Sequence, residues 1–326
     1  MKSKSIVGLA LLSFLLAAVA FASMFFGAEP ISPSELFKNG RDGIEYLIMF
    51  EIRMPRTILC IICGMLLGGS GAVFQGFFRN PLADSGILGI SSGATLGSII
   101  CGFFPFAGFS LKFLSPISAF AFIGGLAAGL LVFLFSLIFR KASSVTLLLS
   151  GTVTGTFFSA LSSLLILLHE KDLHAIFAWT MGSFNAKGWN EVQFFLIPSL
   201  VSIVLLFFCT PSLDILGNGE KTARSLGLNL KRTKIFILLS GTLATSCAVC
   251  SGGVISFVGL IAPHLMRSIF GPYHRTLIPQ SMISGAILLL LSDTIARTVA
   301  APSEIPIGII TSLVGVPFFI AVLKKN

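Results

Sequence analysis

Charged side chains are scarce: Lys, Arg, Asp and Glu make up 11% of the 326 residues, against about 25% in a soluble domain. A water-facing globule cannot be covered with so few, which excludes the soluble classes. Tryptophan and tyrosine number two each, so aromatic belts give little help in locating a membrane surface. The GxxxxGK[ST] phosphate loop is missing. The nearest string, GNGEKT at Gly217–Thr222, has the wrong spacing, so any ATP-driven step needs its hydrolase on another chain. There is no run of intramembrane acids of the kind that relays protons; Asp293 is the only obvious candidate, with Arg297 four residues on as its expected partner. Soluble blocks, linkers and low-complexity tracts are absent as well, leaving one unit over 1–326.

What the chain has is apolar length. Its residues are 55% hydrophobic and its mean hydropathy is +0.97. The few charges sit between apolar runs of about 20 residues, the length a helix needs to cross roughly 30 Å of hydrocarbon. The expected class is an all-α, polytopic membrane protein. Ten spans fit, over 6–27, 53–77, 87–104, 116–139, 144–168, 192–210, 234–251, 254–270, 277–299 and 306–323. The apolar run after Lys2 and Lys4 is longer than a signal peptide's core, so Ala20-Phe21-Ala22 is read as part of a retained first span rather than a cleavage site.

Charge orients this bundle. The stretch from Pro211 to Lys234 carries Lys221, Arg224, Lys231, Arg232 and Lys234 against Asp214 and Glu220, whereas the stretches 29–51 and 169–191 lean acidic. With ten spans, one side holds 14 Lys/Arg against 3 Asp/Glu and the other 8 against 10. Basic loops stay cytosolic, which puts both termini in the cytosol, in agreement with Lys2, Lys4, Lys324 and Lys325. The bias accounts for the whole net charge of +9 and removes the reason to invoke nucleic acid. The pairs Gly64/Gly68, Gly93/Gly97, Gly125/Gly129 and Gly151/Gly155 have GxxxG spacing, which suits close helix packing in lipid better than ligand contact. The second span opens outside and the seventh inside, each with a basic group and a glycine-rich turn after it, so an inverted repeat of the kind common in transporters is conceivable.

Three groups could carry chemistry. The pairs Cys60/Cys63 and Cys247/Cys250 have CxxC spacing but lie in apolar spans without acidic or histidine neighbours, where cysteine acts as a small hydrophobe. His169 and His174 flank Glu170 and Asp172, which reads as a solvated loop rather than a metal site. Arg53, Arg56 and Arg297 stand at the outer rim. They either snorkel and pair locally or form sockets for the carboxylates of a docking partner, and composition does not choose between these.

Two long stretches resemble a known family. Arg53 to Gly97 (RMPRTILCIICGMLLGGSGAVFQGFFRNPLADSGILGISSGATLG) looks like the signature of the FecCD-type permeases, which import ferric siderophores, haem and cobalamin with an ATPase partner. Ser251 to Pro279, then Asp293, Arg297 and Glu304 to Ile320 (EIPIGIITSLVGVPFFI), match that family's second half. The resemblance implies a BtuC-like permease of ten helices in the bacterial inner membrane, acting as a homodimer. Cytosolic ATPase subunits would use ATP and Mg, an extracytoplasmic binding protein would dock outside, and this chain would bind no cofactor or metal. Arg53, Arg56 and Arg297 match the family's docking arginines. Ala223, Arg224, Ser225, Leu226 and Gly227 match its ATPase-coupling loop, which folds as two short helices. Asn80, Leu82, Ser143, Ser144 and Val145 match its cytosolic gate, on a pathway lined by the fifth and tenth spans. The rival class is an ion-coupled secondary transporter or channel acting without an ATPase, which the lack of relay acids disfavours. A structural membrane protein rests on nothing beyond the glycine packing.

Overall fold

The computed structural model describes residues 2–27, 29, 31, 40–103, 115–138, 144–168 and 179–325. The described residues fold as helices: α1 (Lys2–Phe25), α2 (Met54–Phe78), α3 (Ile90–Gly102), α4 (Pro116–Ile138), α5 (Ser144–Leu168), α6 (Trp189–Phe208), α7 (Thr210–Gly217), α8 (Glu220–Ser225), α9 (Leu230–Gly252), α10 (Val258–Phe270), α11 (His274–Ala296) and α12 (Ile307–Lys325). Seven helical segments are long and apolar enough to cross a membrane, and α3, α10 and α12 are shorter apolar helices. Together they account for the ten expected spans.

The boundaries depart from expectation where the backbone is special. The second span begins earlier than Arg53, because a helical turn at Ile44–Leu47 and a π-turn at Ile48–Arg53 run straight into α2. Trp189 Nε1 ties that lead-in to α6 by donating to Phe50 O at 3.0 Å. The eighth span starts at Val258 rather than 254. Gly253 (φ 76°) ends α9 and Phe257 (φ 69°) stands before α10, and positive φ is incompatible with a right-handed helix. A helix of 13 residues is about 20 Å long, so α10 alone falls short of the bilayer's thickness.

Helices α2 and α9 form the centre, each 78% buried over its apolar window, while α1 lies outermost with 6%. Contact of α2 with α11 is backbone to backbone. A Cβ on Gly68 would lie 2.1 Å from Ser281 O, and one on Gly285 would lie 2.4 Å from Gly64 O. Lipid offers no hydrophobic drive between helices, so this close approach supplies the attraction. The bundle therefore has two ends. One gathers the starts of α2 and α12 with the end of α11; the other gathers the end of α2, the α7–α8 loop and the starts of α9 and α11.

Candidate functional site

The first turn of α2 and the last of α11 bring charges 237 residues apart into one cluster. Arg56 Nη2 and Nε donate to Asp293 Oδ1 at 2.8 and 3.1 Å, and Arg56 Nη1 donates to Glu304 Oε1 at 2.8 Å. Arg297 Nε stands 3.6 Å from Asp293 Oδ2, an ion-pair distance beyond hydrogen bonding, while its Nη2 donates to Ser23 O of α1. Arg53 donates to Met24 O at 2.9 Å and to Glu29 O. The expected i,i+4 pair of Asp293 and Arg297 thus exists, but the tighter partner of Asp293 is Arg56. Sequence spacing has no means of pairing helices so far apart in the chain.

All three arginines are buried, at 5, 7 and 3% exposure for Arg53, Arg56 and Arg297, and Asp293 is at 1%. None of the heads snorkels into water. Burial without partners would be prohibitive, and the two carboxylates and the α1 carbonyls supply them. The Glu304 side chain is 27% exposed, against 1% for Asp293. Of the two carboxylates on Arg56, Glu304 is thus the one nearer the surface.

At the other end the basic stretch folds as two short helices, α7 and α8. Ala223 is fully buried and anchors α8, with Leu228 N donating to Ala223 O at 3.0 Å. Lys234 Nζ pairs with Glu220 Oε1 at 2.7 Å and ties α8 to the start of α9. Arg224, Ser225 and Gly227 are exposed, and Leu226 is 66% exposed. Gly227 turns the chain with φ 83°, a conformation glycine adopts without strain. The segment thus presents a bare leucine beside an arginine on a pinned, rigid turn.

Of the expected gate residues, Asn80 and Leu82 lie in the turn after α2, where Asn80 Oδ1 accepts from Leu82 N at 2.9 Å. A 3-10 turn at Ser85–Leu88 follows and packs against α5. A Cβ on Gly151 would come within 2.5 Å of Ile87 O. Val145, in the first turn of α5, is 64% exposed. Ser144 begins α5, and Ser143 lies outside the described residues, as do His169, Glu170, Asp172 and His174. The turn also holds Asp84, which the sequence reading passed over. Its Oδ1 accepts from Ser85 N and Oγ at 2.6 and 3.2 Å, and burial pushes its carboxyl above the ordinary range, against the pull of those bonds.

Along α5 the exposed residues Thr152, Thr156, Ser159 and Ser163 recur at helical spacing. Thr152 Oγ1 and Ser163 Oγ donate back to carbonyls of their own helix, at 2.9 and 3.0 Å. These two hydroxyls are thereby satisfied within the helix, which leaves a weakly polar face. Beside α12, a hollow of about 620 Å³ is lined by Met181, Val254, Ser256, Ser312 and Leu313 among others. The CxxC thiols are buried: Cys63 Sγ donates to Ala248 O at 3.4 Å, so the pair on α2 packs against α9. Among the described residues no group of three or more His, Cys, Asp or Glu is placed to hold a metal.

Comparison with known proteins gives these surfaces their context. The hemin transport system permease protein HmuU of Yersinia pestis is 36% identical over 319 residues, covering 98% of this chain and 95% of that one. The molybdate import system permease protein MolB of Haemophilus influenzae is 40% identical over 289 residues, covering 87% and 83%. A solved structure described as a metal-chelate type ABC transporter in an inward-facing conformation superposes with a TM-score of 0.85 at 36% identity, covering 98% of this chain and 99% of that one. The fold is that of an ABC importer permease, and the family is one of transport subunits rather than enzymes, with the ATPase on a separate subunit. The model of the FecCD transport family matches residues 15–325, and the chain belongs to that family.

Proposed function

We propose that this chain is the membrane-spanning permease subunit of an ATP-driven importer, moving an iron chelate such as a ferric siderophore, or a related large cofactor such as haem or cobalamin, by alternating access. The observation that carries the reading is the α7–α8 turn: Ala223 pins it while Arg224 and Leu226 project from it. In a permease without a phosphate loop, such a knob suits the groove of an ATPase subunit, whose closure on nucleotide would push on the bundle. Two copies of this chain would form the pathway, with the hydroxyl face of α5 and the hollow beside α12 lining it and Asn80, Leu82, Ser143, Ser144 and Val145 closing its cytosolic end. Both termini would lie in the cytosol of a bacterial inner membrane. The similarity to a hemin permease supports a large chelate, while a molybdate permease at similar identity shows that kinship leaves cargo size open.

Leu226→Asp tests coupling. In the complex reconstituted with its ATPase, hydrolysis continues but uptake falls by an order of magnitude or more; unchanged uptake defeats the reading. Copurification of an ATPase separates it from the ion-coupled alternative. The ligand that stimulates hydrolysis in the assembled complex identifies the cargo.

On the outer face, Arg53, Arg56 and Arg297 would receive carboxylates of a binding protein. Their burial dictates the choice of variant. An Arg56→Glu exchange would crowd a third carboxylate beside Asp293 and Glu304 and disturb the fold itself. Glu304→Gln instead frees one fork of Arg56, so docking tightens several-fold; weaker or equal affinity of the binding protein refutes the exchange at Glu304.

A further inference from the structure

Helices α3 and α10 begin alike but are attached differently. Each has 13 residues, and each follows a residue in the left-handed region, Gly89 at φ 70° and Phe257 at φ 69°. Glycine adopts that conformation without strain. A bulky residue there is an outlier and costs about 1–3 kcal/mol. Gly89 shows that the turn itself needs no side chain. At Gly89, α3 meets α5 backbone to backbone: a Cβ on Gly155 would lie 3.2 Å from Gly89 Cα. At Phe257 a ring stands in the matching place. A Cβ on Gly315 of α12 would lie 2.3 Å from Phe257 Cγ, and its three nearest atoms would all belong to the Phe257 side chain.

The first turn of α12 is tied by its backbone, with Ile307 N and Gly308 N donating to Gly182 O and Met181 O at 2.9 and 3.0 Å. Its buried residues Ile307, Thr311 and Gly315 recur every four positions, as one face of a helix does. Ile309, Leu313 and Val316, from the other side, line the hollow of about 620 Å³. Gly315 lies two turns beyond Ile307, roughly 12 Å along the axis. A helix tied at its start swings about that tie when its middle is moved. His264 and Phe318 also meet, edge to face with centroids 6.0 Å apart, but two side chains can slide where a ring on backbone cannot. We propose that Phe257 is a positioning residue for transport: its ring is a spacer that holds α12 off the start of α10 and so sets the bore of the hollow. The proposal rests on the reading of that hollow as part of the pathway. If no spacer were needed, glycine would serve at this turn, as it does at Gly89.

The test uses the full-length chain in lipid bilayers, with Ser312→Cys placed in the lining of the hollow. The six native cysteines are buried, so a thiol reagent reports the introduced one. Labelling rates are compared for a small and a bulky maleimide, and their ratio cancels differences in thiol reactivity. Phe257→Gly keeps the turn and removes the ring. Helix α12 then swings back by up to about 3.5 Å, one layer of carbon contact, and the bulky-to-small ratio rises several-fold. Gly315→Ala acts in reverse. Its Cβ must retreat from 2.3 Å to ordinary contact at about 3.5 Å, which pushes α12 into the hollow and lowers the ratio several-fold. The opposite signs separate a spacer from a merely structural contact, because general loosening would raise both ratios. Unmoved ratios, or shifts in the same direction, overturn the proposal, and Gly315→Ala decides alone if Phe257→Gly does not fold. Uptake by the complex reconstituted with its ATPase separates the two readings. Opposite ratios with unchanged uptake in both variants refute the hollow as pathway, and with it the role of Phe257 in transport.

Discussion

Two guanidinium groups near opposite ends of α11, Arg56 buried and Arg267 half-buried, are treated differently. Arg56 is gripped by Asp293 and Glu304, with bonds of 2.8 Å to each. Arg267 borders a hollow of about 430 Å³ between the end of α2, α7 and the start of α11, whose one acid among the described residues, Asp214, is engaged by His274. In the first cluster the Arg56 fork is met within the chain, which holds α2, α11 and the approach to α12 together, although Arg297 Nε is left 3.6 Å from Asp293. In the second, Arg267 Nε and Nη2 and His274 Nε2 are buried without a hydrogen-bond partner among the described residues. Arg56 meets its carboxylates across two helices and so joins them, whereas Arg267 has no acid to join.

Variants at the two ends test that contrast, from large effects to small. Asp293→Ala strands Arg56 and Arg297 in a dry site; removing one partner of a buried pair costs about 3–5 kcal/mol, measurable as lost unfolding free energy in detergent. Asp214→Asn weakens the acceptor of His274, at about 1.5–3 kcal/mol for a bond to a charged group. A loss as great as that of Asp293→Ala would erase the contrast, because it would make the second cluster an equal joint. Gly68→Ala presses a Cβ against Ser281 O and costs about 1–3 kcal/mol by overpacking, a standard against which both can be scaled. Glu220→Gln breaks the pair with Lys234, but the Glu220 side chain is 44% exposed, so the loss stays under about 1 kcal/mol.

Much of the fold was legible because lipid imposes a simple grammar of apolar length and loop charge. Ten spans were readable, and so was Gly64/Gly68 as a packing device, since the physics of each is local in sequence. The errors arose where the backbone breaks rules locally: the π-turn before Arg53 and the positive φ of Phe257 leave no hydropathy signal. The charge clusters were legible only in part. Arg53, Arg56 and Arg297 were placed at one rim, with Asp293 four residues before Arg297, but Glu304 was not among them, and the bonds that join Arg56 to Asp293 and Glu304 span 237 and 248 positions. Asp214 and His274, 60 residues apart, stand in different stretches of the chain, and no spacing rule could unite them. Leu226 was found through kinship, yet its exposure and the anchoring of Ala223 emerge only from the packed turn.

Helix α11 begins at His274, beside the hollow, and carries Asp293 near its far end. Nineteen residues separate the two, roughly 30 Å along a helix axis. At Gly64, Gly68 and Gly285, α2 and α11 meet backbone against backbone, so little at those points can absorb a displacement. Such a pair behaves as a girder: a push on its base tilts its tip, with no chain of rearranging contacts in between. A displacement of α7, which packs against α11, would then alter the footing of the whole beam, so a push at one surface would set how readily the other surface yields.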